Sequence, residues 1–268
     1  MQKYWHVINV GIQNTLVYRV NFLFRAAFGL IPLTATIFLW QAVFAGKQGS
    51  STVASYTLTE MISYYLIVTI VDALTAVTDD DWQIAGDIRE GTISQFLLKP
   101  IDYLYYRLCL FFSGRMIYCV VAALPVVLFI LYLRKHFVLP ADIATLGWFL
   151  MSVSLTAMLQ FLISFTMAML AFWVLEVSTF IFILFAIEYI AGGHLFPLDI
   201  LPPMVSQALY FTPFPYQMFF PVSVYLGKTS GAVLGWGLMV QALWVGVMYS
   251  LARFIWQRGI RKYAAFGG

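Results

Sequence analysis

The sequence predicts an all-α, polytopic membrane protein. Three observations predict it. Hydrophobic residues make up 62% of the chain and charged residues 10%, against about 45–50% and about 25% in a soluble domain. Mean hydropathy is +0.86. The apolar residues fall into stretches near the roughly 20 residues that a spanning helix needs. Six such spans use about 120–150 of the 268 residues, which leaves no room for a fused ATPase, kinase or other soluble catalytic domain. The chain reads as a single domain over 1–268.

The elements follow in order. Residues 1–20 place Trp5, Ile8, Ile12 and Leu16 near helical spacing, with Lys3, Gln13, Asn14 and Arg19 between them. Such a pattern predicts an interfacial helix lying along the membrane surface. A first span over 21–44 ends in the polar run 46–51. A second, over 56–78, stops at Asp79-Asp80-Asp81. Residues 79–107 are the longest charged segment. They carry Ile84, Ile88, Ile93, Phe96 and Leu97 at helix spacing before Pro100, so a short amphipathic helix outside the bilayer is expected. A third span over 108–133 is closed by Arg134-Lys135.

Residues 143–193 contain only two charges, Glu176 and Glu188. One helix of that length would reach about 75 Å, more than twice the bilayer core. The stretch must therefore be a helical hairpin, with its turn near 173–176. Residues 192–230 hold six of the ten prolines, Pro197, Pro202, Pro203, Pro213, Pro215 and Pro221. That density breaks helices, while the aromatic content is too high for a free aqueous loop. Short helices packed on protein and re-entering the membrane are the expected form. The last span covers 232–255, followed by Arg258, Arg261 and Lys262.

Lys and Arg set orientation. With both termini inside, eleven of them (Lys3, Arg19, Arg25, Arg89, Lys99, Arg107, Arg115, Arg253, Arg258, Arg261 and Lys262) share one side, against Lys47, Arg134, Lys135 and Lys228 on the other. Cytoplasmic termini and an even number of spans agree. Net charge is +3, no excess for binding nucleic acid. Cys109 and Cys119 offer neither a disulfide framework nor metal spacing. No cleavable leader is expected at the N-terminus.

Catalytic candidates are few. His6, His136 and His194 are too far apart for metal-ligand spacing on one helix. Gly227-Lys228-Thr229-Ser230 resembles the end of a phosphate-binding loop, but Val222 stands where that loop needs its first glycine. His194 and Asp199 share the spacing of an acyltransferase His/Asp pair, in which the histidine takes a proton from an acceptor hydroxyl. Glu60, Asp72, Glu176 and Glu188 lie in or beside apolar spans, where acids are costly and face a bundle interior or water. With no clear internal Lys or Arg partner, Asp72 and Glu188 suit a pathway for a cationic substrate, or a proton site in an ion-gradient-driven secondary transporter.

Two blocks carry a family resemblance. The first runs Asp81-Trp82-Gln83-Ile84-Ala85-Gly86-Asp87-Ile88-Arg89-Glu90-Gly91-Thr92-Ile93 and on through Phe96-Leu97-Leu98-Lys99-Pro100. The second is Gly193-His194-Leu195-Phe196-Pro197-Leu198, then Leu201-Pro202 and Pro213. In this order, on a six-span layout, they resemble the permease subunits of type-2 ATP-binding-cassette exporters, closest to a bacterial uncharacterised or viologen-type subgroup. The acidic run Asp79-Asp80-Asp81 is heavier than that family's pattern.

The resemblance implies six transmembrane helices, an N-terminal interfacial connector helix, a cytoplasmic coupling helix over 87–98 and a re-entrant region before the last span. It implies that a separate ATPase subunit, which holds the ATP and Mg, grips Asp87, Ile88, Arg89, Glu90, Gly91, Ile93, Phe96 and Leu97. Phe196, Pro197, Leu201 and Pro202 would belong to an outer gate. The partners implied are that ATPase, a second permease chain, the same or homologous, and membrane lipid. The place implied is the bacterial cytoplasmic (inner) membrane. The substrate would be an amphipathic or cationic small molecule, or a lipid-like one. On this reading the chain is a transporter subunit, not an enzyme, and binds no cofactor or metal itself.

Overall fold

The computed structural model describes residues 2–46, 52–77 and 80–263. Its helices are α1 (Gln2–Leu16), α2 (Arg19–Ala45), α3 (Leu58–Thr75), α4 (Asp80–Arg89), α5 (Ile93–Leu97), α6 (Tyr103–Tyr132), α7 (Ile143–Ala168), α8 (Ser178–Ala191), α9 (Pro203–Leu209), α10 (Phe219–Tyr225) and α11 (Gly231–Lys262). A two-residue hairpin, β1 (Thr52–Val53) with β2 (Tyr56–Thr57), precedes α3. Most of the polar run 46–51, and Asp79 of the acidic run, lie outside the described residues.

The all-α class holds. Among the described residues, five helices are long and apolar enough to cross a membrane: Arg19–Ala45, Leu58–Thr75, Tyr103–Tyr132, Ile143–Phe172 and Gly231–Lys262. The sixth expected span is α8, which has 14 residues and so rises only about 21 Å. It leaves the helical hairpin at a non-helical turn over 173–177, where the charge pattern placed it. It ends at Gly192-Gly193, and Gly193 takes φ +91°, a conformation that a right-handed helix cannot continue.

α3 and α7 form the centre. α3 is buried without a break from Met61 to Val68, as befits a helix that is apolar all round. α7 packs on α11, α10, α4 and α3, while α6 packs on α1, α2 and α3. The start of α3 is a capping box: Glu60 Oε2 accepts from Thr57 N at 2.8 Å, and Thr57 Oγ1 accepts from Glu60 N at 3.3 Å.

Two expected boundaries move. The segment predicted as one helix over 87–98 is two, α4 and α5, meeting at Gly91 with φ +81°. The third span begins at Tyr103, five residues before its predicted start, because Asp102 caps it: Oδ1 accepts from Tyr105 N at 3.3 Å. α4 carries Asp81 in its first turn and closes on Arg89, the charge order that complements the helix dipole, so part of the acidic run is a helix start.

α1 runs beside the first turns of α6. Tyr4 meets Tyr105 edge-on at 6.2 Å, and Ser113 Oγ donates to Ile8 O at 3.2 Å, beside Gly11. Lys3 Nζ donates to Pro100 O at 2.5 Å, and the Tyr263 hydroxyl lies 3.0 Å from Ser94 Oγ. Both ends of the described chain therefore share the end of the bundle that holds the α4–α5 elbow. At the opposite end, Lys228 Nζ donates to Ser55 O at 2.9 Å and pairs with Glu60 at 3.1 Å.

The proline-rich segment is broken, and its backbone is tied to the bundle. Tyr64 Oη donates to Gly193 O at 2.5 Å and Tyr65 Oη to Leu195 O at 2.8 Å. Phe219 N donates to Gly192 O at 2.8 Å. Gln241 on α11 joins three elements: its Nε2 donates to Tyr216 O (2.9 Å), Ser152 O and Thr156 Oγ1 (both 3.0 Å), and its Oε1 accepts from Ser152 Oγ at 3.0 Å. At about 0.6 kcal/mol per interhelical bond, Gln241→Ala is expected to cost about 2 kcal/mol in reversible unfolding from detergent micelles. A loss near zero would mean that the network carries no net stability.

Candidate functional site

The elbow is built from an amphipathic sequence whose apolar side turns inward. Ile84, Ala85 and Ile88 on α4 and Ile93 on α5 are buried, with α4 packed on α7 and on the 3-10 turn Met169–Phe172. Burial of each isoleucine stabilises by about 1.5–3 kcal/mol. Phe96 lies edge-on to Tyr103 at 5.3 Å and 4.8 Å from Tyr106. Of the residues expected to form an apolar grip for a partner, Ile88 and Ile93 turn into the core of this chain, and Phe96 is half-buried against Tyr103 and Tyr106.

Asp87 also points inward. Its Oδ2 accepts from Tyr103 Oη at 2.7 Å and pairs with Arg107 Nη2, and its Oδ1 accepts from Thr92 Oγ1 at 3.0 Å. Arg107, with a side chain only 5% exposed, also donates from Nε to Tyr103 Oη at 3.0 Å and from Nη1 to Gln83 Oε1 at 3.1 Å. Each of its three nitrogens thus has an acceptor, which a buried guanidinium needs. Tyr103 stacks on Trp256 of α11 at 5.1 Å. Asp87 thus has an internal charged partner in Arg107. What faces outward is Arg89, Glu90, Leu97 (48% exposed), Leu98 (88% exposed) and Lys99. Gly91, half-buried, supplies the bend.

A second polar group lies within the bundle. Asp72 on α3, with a side chain 53% exposed, is 3.9 Å from His194 Nε2. The His194 ring stacks on Tyr189 at 5.5 Å. Glu188 Oε1 accepts from Gln217 Nε2 at 2.8 Å. Buried Arg115 sits over the Tyr118 ring on α6 at 5.1 Å. Of the acids in or beside spans, Glu60 pairs with Lys228 and Asp72 lies beside His194, while Glu188 is bonded by the Gln217 amide.

Other candidates separate. His194 turns to Asp72, whereas Asp199 Oδ2 accepts from Tyr56 Oη at 3.0 Å, so the two do not form the dyad an acyltransferase needs. Pro197 is buried, Phe196 and Leu201 are half-buried and Pro202 is exposed. Lys228, held by Glu60 and lying 4.1 Å above the Tyr56 ring, is committed to this chain. The sequence reading missed Tyr64, Tyr65, Tyr103, Arg107 and Gln241. The signal was present in the last two, a cation and an amide inside apolar stretches, where such groups are retained only with partners.

The architecture is that of a polytopic α-helical membrane protein with its charge gathered at the bundle ends and in one internal group. A family model described as ABC-2 family transporter protein matches residues 30–267, and the chain belongs to that family. It is therefore a membrane permease subunit of an ABC transporter, a family whose permeases work with an ABC ATPase. No curated protein matches the chain.

Gly193→Ala tests the internal break. A Cβ there would stand 2.9 Å from both Phe219 Cβ and the Tyr64 hydroxyl, on a backbone at φ +91°. The left-handed conformation alone costs about 1–2 kcal/mol, so a drop in thermal stability of at least that size is expected in detergent, while Gly235→Ala, whose Cβ meets nothing, serves as the neutral control.

Proposed function

We propose that the chain is the membrane-spanning half of an ATP-driven exporter, docked to a separate ATPase through the outward side of the α4–α5 elbow and working beside a second permease chain. One observation supports this most: a short, firmly seated elbow at the end of the bundle that leaves Leu97 and Leu98 exposed between Arg89, Glu90 and Lys99. Exposed leucines rimmed by charge are what a partner groove takes. ATP and Mg are held by the partner. ATP binding closes the ATPase subunits, the elbow moves, and a route between two permease chains opens. The elbow and both termini face the cytoplasm of a bacterial cell, in the inner membrane, consistent with the excess of Lys and Arg on that side. α1 acts as the connector helix, and Phe196, Pro197, Leu201 and Pro202 belong to the outer gate.

The substrate is an amphipathic or cationic small molecule, or a lipid-like one. Asp72 and Glu188 line its path.

The test is purification from native membranes in mild detergent. Wild type is expected to carry an ABC ATPase. Leu97→Glu with Leu98→Glu should lose it, because the change adds two charges to the outward surface and touches no buried group. Retention of the ATPase by the double variant would overturn the docking surface. Transport by the purified chain alone under a pH gradient would overturn ATP coupling and favour an ion-driven carrier using Asp72.

A further inference from the structure

Two polar ties fasten the elbow to the inner ends of two spanning helices, and a third joins those two helices to each other. Arg107 on α6 holds Asp87 and Gln83 on α4. Asp102, the cap of α6, accepts from Arg253 Nη1 on α11 at 2.5 Å. Tyr263, just past α11, meets Ser94 on α5 at 3.0 Å. Apolar burial would hold the elbow in place, but it is non-directional and lets surfaces slide. A planar guanidinium fixed to three oxygen acceptors sets both distance and angle. A buried ion pair adds little net stability over an apolar pair of the same shape, and its best-attested use is to set register. Tyr103 ties the same point to α11, since it bonds both members of the pair and stacks on Trp256.

We infer that Arg107 is a positioning residue through which movement of the elbow is delivered to α6 and, by way of Tyr103 and the Asp102–Arg253 pair, to α11. The elbow and the inner ends of these two helices then move as one body. This rests on the ATPase reading above. It assigns transmission to residues that touch neither the ATPase nor the substrate.

The experiment uses the complex with its ATPase and a chain carrying Cys109→Ser and Cys119→Ser. One nitroxide is placed on the elbow at Gln95→Cys, which is exposed. In a separate sample it is placed on α9 at Met204→Cys, 86% exposed in the proline-rich segment. Spectra are compared with and without ATP and vanadate. With Arg107 intact, both labels respond. With Arg107→Gln the elbow label keeps its response, and the α9 response falls about two- to thirtyfold, the range that changes in coupling of this kind span. Arg107→Lys, which keeps the charge, restores part of it. Asp87→Asn should reproduce the loss, and it carries the test if Arg107→Gln does not fold.

An α9 response equal to wild type in Arg107→Gln and in Asp87→Asn overturns the inference. Loss of the elbow response as well would place Arg107 in docking rather than transmission, and overturns it too. A wild-type complex in which ATP moves neither label would overturn the ATPase reading itself, and the inference with it.

Discussion

The hydrocarbon core contains no water, so each polar group placed there must find its partner in the protein. That constraint sets where this chain is allowed to be irregular. The proline-rich segment breaks into short helices, and broken backbone exposes carbonyls. Those carbonyls are met one by one: Gly193 O by Tyr64, Leu195 O by Tyr65, and Tyr216 O by Gln241. The donors come from α3 and α11, whose backbone hydrogen bonds are made within the helix. Two adjacent tyrosines on α3 thus serve as acceptance points for a loop more than a hundred residues later. A phenol suits this task because its ring is buried as apolar surface while its hydroxyl reaches the carbonyl.

The same constraint explains what the sequence made legible. Composition and stretch length depend on the solvent and are visible residue by residue, so the all-α membrane class, the helical hairpin and the broken segment are legible in composition and spacing alone. The boundaries that moved were set by single side chains. Asp102 starts α6 early, Gly91 divides the elbow, and the Thr57–Glu60 box fixes α3. Pairings across the chain were not legible. Glu60 with Lys228 and Asp87 with Arg107 join residues 168 and 20 positions apart, and nothing in one sequence marks such a pair beyond the cost of leaving either charge alone.

The elbow shows why amphipathicity alone underdetermines function. Periodicity says that Ile84, Ile88 and Ile93 share a face with Phe96, and that this face will leave water. It does not say what covers it. An interface between chains and an internal core use the same chemistry. The structure covers this face with α7 and α6, and the outward side carries Leu97, Leu98 and three charged residues beside Trp82 and Gln95. A contact surface of that kind is small and polar at its rim. It suits a partner that must remain bound while the bundle beneath it changes shape, because the elbow keeps its own seat and does not depend on the partner for burial.

α11 has a place in both halves of the molecule. Near its C-terminal end Arg253 and Trp256 meet Asp102 and Tyr103, which surround the elbow. Twelve residues earlier Gln241 meets Tyr216 of the broken segment and Ser152 and Thr156 of α7. Twelve residues of helix span about 18 Å, and the stretch between them contains no proline. A helix is stiff along its axis, so a displacement applied at Arg253 reaches Gln241 with little loss. α6 is the weaker candidate for that role, since Pro125 interrupts its hydrogen bonding before its outer end. The polar residues on α11 therefore define a direct mechanical path from the elbow to the broken segment. The path exists because two groups that are costly in lipid, an arginine and a glutamine, were each placed where a neighbouring element supplied the partner.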